Sequence, residues 1–510
     1  MSFDAIIIGA GMGGLMAGAR LARAGRRVLI LEANAHIGGT SYIFRRRGFA
    51  FPMGPLSFSY PDRVEALLDG AGAGGRLSFR RNHFQLLTPR LDIVYSRPPA
   101  VLKEDLRRAF PLEGEGLDRF FDELAALFVL IRDIDRRHPD YALRAGRGAA
   151  GPAGDAGFAA RISRIRDLGR ASSRELLEPL IRDADLRNLL GSMGTDPPRM
   201  SLLNLAFMWA SMSEIGIWFP SIGIHGICDR LAAAVGEGGG EIRLRRPAAH
   251  ILVEGGRAAG IRTADGEEFR APVVIANADS KKTFLDLLDP ADVPPAHLEA
   301  VRRTPYTGSE LCVYLGLDAS RVDWTRMRAE HLFFQKVSGA ADDPASDSED
   351  FDGREIEICR WSENAPDVAP PGKAVVVLRA GSEFRLFEDW RTGDRTRKEG
   401  YREVKARLAR NLVRTAEAAL PGLSAAVEVL EAATPLTYRD WGRRTAGSIA
   451  GWSWSAEAAE SLPSKILVET PIPGLFMAGI YAATELFLGG VPTALFTGSL
   501  AAAAALAYRA

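Results

Sequence analysis

Near the amino terminus stands Gly9-Ala-Gly11-Met-Gly13-Gly14, and Glu32 follows it. Glycines at this spacing let a backbone turn tightly and approach a diphosphate, whose charge the N–H groups and dipole of a following helix then stabilise. An acid at the position of Glu32 accepts hydrogen bonds from ribose hydroxyls, and it argues against a 2′-phosphate. The other reactive residue types form no comparable pattern. The seven histidines are scattered without metal-ligand spacing, and Cys228, Cys312 and Cys359 lack CxxC spacing. No G-x-S-x-G or Cys/His pair marks a nucleophile. The pattern that stands out is therefore the one for a bound dinucleotide.

These residues need particular elements to hold them. Phe3 to Ile8 reads as a buried parallel strand, and an amphipathic helix runs from the glycines to about Ala24. Gly25 ends that helix, and Val28 to Leu31 is the next strand, closing on Glu32. Strand, glycine turn, helix, strand and acid occur in the order of a βαβ nucleotide unit. After five more residues comes Gly38-Gly39-Thr40, a second glycine pair that lets the chain fold back over the diphosphate.

Leu15, Leu21, Gly25, Val28, Glu32, Gly38 and Gly39 give the chain a resemblance to the flavoprotein superfamily that includes amine oxidases and phytoene desaturases. Further on, EIRL, then ILVEGGRAAGIRTADGEEFRAPVVIANAD, then TFLDLL is similar to phytoene desaturases, carotenoid isomerases and retinol saturases. The strand into Gly479 and the turn Gly489-Gly490-Val491-Pro492 with its helix match the family's last segment. The resemblance implies an α/β fold, a discontinuous Rossmann-like FAD-binding domain with an inserted mixed α+β substrate domain. Residues 1–60, 220–290 and 430–510 would form the FAD domain, 61–219 a helical region facing substrate and membrane, and 291–429 a β-rich layer with a returning helix. It implies FAD contacts from Gly9, Gly11, Met12, Gly13, Gly14, Glu32, Ala33, Gly38, Gly39 and Thr40. Ala248 would meet adenine through its backbone with Ala276 and Asn277 nearby, and Gly479, Gly490 and Val491 would lie at the flavin. No acid–base residue can be transferred. The Ile480 to Leu488 loop is longer than in the family and lacks its proline-glycine pair; Glu485 inside it reads as part of a surface insertion, or as a carboxyl group near the flavin or the substrate tail.

The uncharged run from Leu486 to Tyr508 raises the question of a membrane span. Gly489, Gly490 and Pro492 interrupt it, and Thr493 to Tyr508 falls short of the roughly 20 apolar residues a span takes. It is expected to pack inside the FAD domain. The helical region includes Leu117 to Ile134 and the apolar segment Ser201 to Pro220, which reads as core, as cavity wall, or as a peripheral patch that collects substrate from lipid. Arg144 to Asp155 and the acidic stretch Ala341 to Asp352 read as loops. His36 reads as a loop histidine beside the diphosphate turn, and Trp441, Trp452 and Trp454 as flavin-pocket wall or core.

The 510 residues carry no net charge, so no basic field calls for nucleic acid. Three separated cysteines and a start without a basic, cleavable leader lead to an expected cytoplasmic location, and the resemblance together with the apolar segment Ser201 to Pro220 implies a peripheral position on the inner face of the membrane. The expected activity is FAD-dependent oxidation and reduction at carbon–carbon bonds of a long hydrophobic isoprenoid, a carotenoid or its precursor, by desaturation or isomerisation. Saturation, a small-amine oxidase and a prenyl-lipid escort are the alternatives. Only one strand–GxGxxG–helix unit is present, and Gly236-Glu-Gly-Gly-Gly240 follows a helix. The electron partner is therefore expected to be oxygen, a quinone or a separate reductase.

Overall fold

The computed structural model describes residues 3–137, 157–192, 200–337, 349–453, 467–483 and 490–509. The loop Arg144 to Asp155, Trp454, Glu485, Gly489 and most of the acidic stretch after Ala341 lie outside these residues.

The centre is a five-stranded parallel sheet drawn from three distant parts of the chain. Its order is Glu241–Arg243, Val28–Leu31, Ala5–Ile8, Val274–Ala276, Leu475–Met477. The strands Ala5–Ile8 and Val28–Leu31 are buried along their whole length, as AIII and VLIL require. A strand covered on both faces has no polar side, and each fully buried aliphatic side chain there stabilises by about 1.5–3 kcal/mol. Helices Met12–Arg23, Gly223–Glu237 and Gly490–Ala507 supply the cover. An antiparallel three-stranded meander, Ala248–Glu254, Arg257–Thr263 and Glu268–Arg270, turns at the glycine and Asp-Gly positions read from the sequence.

The second large sheet has seven strands, in the order Val427–Ala433, Ser309–Asp318, Lys373–Ser382, Glu355–Cys359, His331–Gln335, Phe84–Leu87, Asp92–Val94. The last two belong to the stretch that the sequence reading gave to helices, as does Phe79–Asn82, which pairs with Ile217–Pro220. Such strands are too short to show a period of their own; their pairing is non-local. Helices Gly114–Arg137 and Leu202–Ala210 confirm the helical character of much of the rest.

The apolar segment Ser201 to Pro220 turns inward. Leu203, Leu205, Ala206 and Trp209 are buried in the core, so the segment does not form the surface patch anticipated as one of its readings. Ser201 caps its helix by accepting the Asn204 N–H at 3.3 Å. The carboxy-terminal helix begins at Gly490, earlier than expected, with Pro492 inside its first turn. By length and composition it could cross a membrane, but it packs on Met12–Arg23 and Leu475–Met477, and most of it is buried. Its small side chains permit that approach: a Cβ on Gly498 would run into the carbonyl of Gly13.

Candidate functional site

The glycine turn is organised around one side chain. Asn277 follows the strand Val274–Ala276, and its N–H donates to the Ile8 carbonyl at 2.9 Å. Its Nδ2 donates to the Gly9 carbonyl at 3.3 Å. A Cβ on Gly11 would lie 2.8 Å from Asn277 Nδ2, and one on Gly13 would lie 2.7 Å from its Oδ1. Gly9 has φ 92°, a conformation that glycine adopts without strain. Several of these glycines thus make room for Asn277 as well as for a ligand. The sequence reading put Asn277 near an adenine; the structure puts it under the glycine turn.

Glu32 is buried. Its carboxylate accepts the Ala10 N–H at 2.8 Å and the Asn34 N–H at 2.7 Å, which ties the ends of the first two strands together. Each carboxylate oxygen has a second lone pair for a hydroxyl. The Gly38 N–H donates to the Ala10 carbonyl at 2.8 Å, and Gly11 and Gly38 form a parallel bridge. The second glycine pair therefore does fold back on the first. Gly479 accepts from the Thr497 hydroxyl at 2.9 Å, joining the last strand to the last helix.

A cavity of about 590 Å³ opens along these elements. Gly9, Gly11, Met12, Gly13, Glu32, Ala33, Gly38, Gly39, Thr40, Ala248, Asn277, Gly479, Gly490 and Val491 all line it. Two of the expected residues do not. Gly14 faces the Gly9 carbonyl and serves helix–strand packing, and Ala276 is a buried strand residue whose carbonyl accepts from the Ala478 N–H at 3.0 Å. His36 stacks on Tyr42 at 3.7 Å instead of reaching the cavity, Trp441 lines it, and Trp452 is core.

Beyond Thr40 and Gly54 the lining changes. One wall is apolar: Phe84, Met200, Phe207, Met208, Met212 and Ile217. A polar part of the lining, on the seven-stranded sheet that also carries Phe84, holds Glu310, His331, Glu357 and Arg379, with Tyr438 beside them; Phe84 stacks on His331 at 4.5 Å. Tyr438 donates to Glu310 Oε1 at 2.5 Å, and Glu357 Oε1 lies 2.7 Å from His331 Nδ1. Arg379 stands 3.8 Å from Glu310 and 3.7 Å from Glu357, and it donates to the Gly54 carbonyl. Burial pulls His331 down, but Cys359 and Glu357 beside it outweigh that and raise it to about 10. Burial pushes the Tyr438 phenol well up, with Glu310 adding to the effect. Burial would raise Glu357, yet His331 and Arg379 hold it below the usual carboxylate range. Sequence reasoning missed this wall. Its signal was the charged residues within or at the edge of three otherwise apolar runs, ELCVYLGL, EIEIC and VVVLRA, and charges so placed need partners that periodicity does not reveal. Among the described residues no group of histidine, cysteine and carboxylate side chains could hold a metal ion.

The family of Flavin containing amine oxidoreductases matches residues 12–506, and the chain belongs to it. It is 24% identical to All-trans-retinol 13,14-reductase of Danio rerio, across 98% of this chain and 85% of that protein. It is also 24% identical to the chloroplastic Prolycopene isomerase of Daucus carota, across 88% of this chain and 71% of that one. Among solved structures, Cyclohexylamine Oxidase from Brevibacterium oxydans superposes with a TM-score of 0.63 at 17% identity, over 99% of both chains, and shows the same fold. The chain is an FAD-dependent oxidoreductase. Its cradle suits that group: the first turn of Met12–Arg23 has no side-chain cap and no acidic residue, and Met12 and Gly13 border the cavity.

Proposed function

We propose that this enzyme acts on carbon–carbon bonds of a long hydrophobic isoprenoid, a carotenoid or a carotenoid precursor, by desaturation or isomerisation. One observation carries the reading. The cavity is continuous from the glycine turn to the methionine- and phenylalanine-lined wall, so an apolar chain could lie beside the far end of the dinucleotide. The likeness to a retinol reductase and a prolycopene isomerase points to the same class of substrate.

In this reading the amides of Met12 and Gly13 bind the diphosphate, Gly38, Gly39 and Thr40 close over it, and Glu32 receives ribose hydroxyls. Ala248 borders the adenine end. Bound FAD supplies the acceptor or donor of a hydride, or of single electrons. The amino end of Gly490–Ala507, at Gly490 and Val491, stabilises negative charge there. Phe207, Met208 and Met212 exclude water and orient the chain. The segments 1–60, 220–290 and 430–510 form the FAD unit, and 61–219 with 291–429 enclose the substrate. Oxygen, a quinone or a separate reductase exchanges electrons with the flavin, and the protein works at the inner membrane surface, where such substrates reside.

The test is chromatography of organic extracts from cells making phytoene, prolycopene or lycopene, with and without this chain. A product with more conjugated double bonds indicates desaturation, one of equal mass and altered geometry indicates isomerisation, and one with fewer double bonds would move the reading to saturation. Unchanged polyenes, together with flavin bleaching by a small amine, would overturn it.

A further inference from the structure

The cavity has a polar wall that a hydrocarbon substrate would leave unused. Glu310 Oε1 receives the Tyr438 hydroxyl, while its Oε2 has no hydrogen bond to a described residue, and Glu310 borders the cavity. Arg379 faces both Glu310 and Glu357, and its buried Nε has no hydrogen-bond partner among the described residues. His331 closes the wall behind Glu357. Glu310 and Glu357 thus stand against a single guanidinium, and Glu357 also meets His331. Glu355, two residues along the same strand, does not border the cavity, and burial pushes its carboxyl well up, with Glu357 adding to the effect.

Placing charges in a greasy cavity is unfavourable unless they are matched, and a hydrocarbon matches none of them. Binding sites for apolar ligands use a few polar groups to fix orientation. This wall has no net positive charge to draw a carboxylate. It does have an acceptor without a partner among the described residues, Glu310 Oε2, while Arg379 Nε is buried behind it, 3.8 Å from Glu310 Oε1. A hydroxyl can donate to that carboxylate oxygen, whereas an ether or a carbonyl can only accept.

We propose that Glu310, Tyr438 and Arg379 form a binding subsite for a hydroxyl group, and that the substrate is an isoprenoid alcohol held by that end. Tyr438 acts as a positioning residue, fixing Glu310 so that Oε2 faces the ligand. The wall is joined to the cofactor side through Arg379 and the Gly54 carbonyl, and Gly54 packs on Thr40. Docking the hydroxyl here sets how far along the polyene the reacting bond lies from the flavin. The inference rests on the isoprenoid reading above.

The test is equilibrium binding to the flavin-loaded protein, followed by fluorescence. The probes are all-trans-retinol, its deoxy hydrocarbon with a methyl group in place of the hydroxymethyl, and its methyl ether. Retinol is expected to bind about tenfold or more tighter than the hydrocarbon, because a hydrogen bond to a charged group is at stake. The ether is expected to fall with the hydrocarbon. Glu310→Gln and Tyr438→Phe should each bring the alcohol-to-hydrocarbon ratio several-fold closer to one while flavin absorbance per chain stays the same. Equal binding of alcohol and hydrocarbon by the unaltered protein would overturn the subsite and leave the isoprenoid reading standing. A preference that survives in both variants would overturn it as well. If no polyene binds, the isoprenoid reading falls and the subsite with it.

Discussion

Replacing Gly498 by alanine sets two effects against each other. In a helix interior this change is worth about 1 kcal/mol in favour of alanine. Gly498, however, lies where Gly490–Ala507 meets the first turn of Met12–Arg23. Its new Cβ would stand 2.9 Å from the Gly13 carbonyl carbon and 3.0 Å from Gly13 Cα, and nearer still to the oxygen. All three are backbone atoms, so no side chain can rotate away. The helix must withdraw, and overpacking of this kind costs about 1–3 kcal/mol. The net result is expected to be destabilisation by up to about 2 kcal/mol, with weaker retention of FAD because Gly13 borders the cradle. Gly236, in helix Gly223–Glu237, is the control: its Cβ would meet nothing within 4 Å. Gly236→Ala should stabilise by about 0.5–1 kcal/mol. Urea unfolding and the flavin-to-protein absorbance ratio measure both changes. A Gly498→Ala protein that is as stable as the parent and fully flavinated would refute the packing argument, and so would variants that shift in the same direction.

Glu32→Gln keeps one acceptor oxygen for two amides, so either Ala10 or Asn34 loses its partner and meets an NH2 instead; this should cost about 1.5–3 kcal/mol and release FAD more readily, and the melting temperature with and without added FAD reads both. Asp440 is buried and accepts from Arg391 at 2.8 Å and Arg397 at 2.7 Å, so Asp440→Ala should lose about 3–5 kcal/mol in denaturant titration, far more than loss of the exposed Arg27–Asp4 pair. His331, raised to about 10 in the fold against about 6.5 unfolded, favours the folded state fully below pH 6.5, and that contribution is lost as pH climbs through about 10. Thermal melts from pH 6 to 10.5 should show this fall, and His331→Gln should flatten it; an unchanged slope would mean that His331 is neutral in the fold.

How much could be read in advance follows from the range of each interaction. The strand–turn–helix unit at Ala5–Leu31, Glu32 and the second glycine pair were legible because their constraints are local: short continuous apolar runs, turn chemistry and spacing act over a few residues. The same holds for the end of helix Gly223–Glu237 ahead of the Gly238–Gly240 run. The strands Phe79–Asn82 and Phe84–Leu87 were not legible, since what makes them strands is pairing with Ile217–Pro220 and His331–Gln335.

The sequence by itself determined that a dinucleotide cradle would form at Gly9 to Gly14, because glycine backbone freedom and a helix amino end are properties of neighbouring residues. Tertiary structure alone decided what surrounds it. It set Asn277 beneath glycines from two distant segments, turned Ser201 to Pro220 from a possible surface into a cavity wall, and gathered Glu310, Glu357, Arg379 and Tyr438 around one side of that cavity. A buried charge must find its counter-charge in space, and the residues that supply it here come from different strands and a helix, so no sequence spacing encodes their meeting.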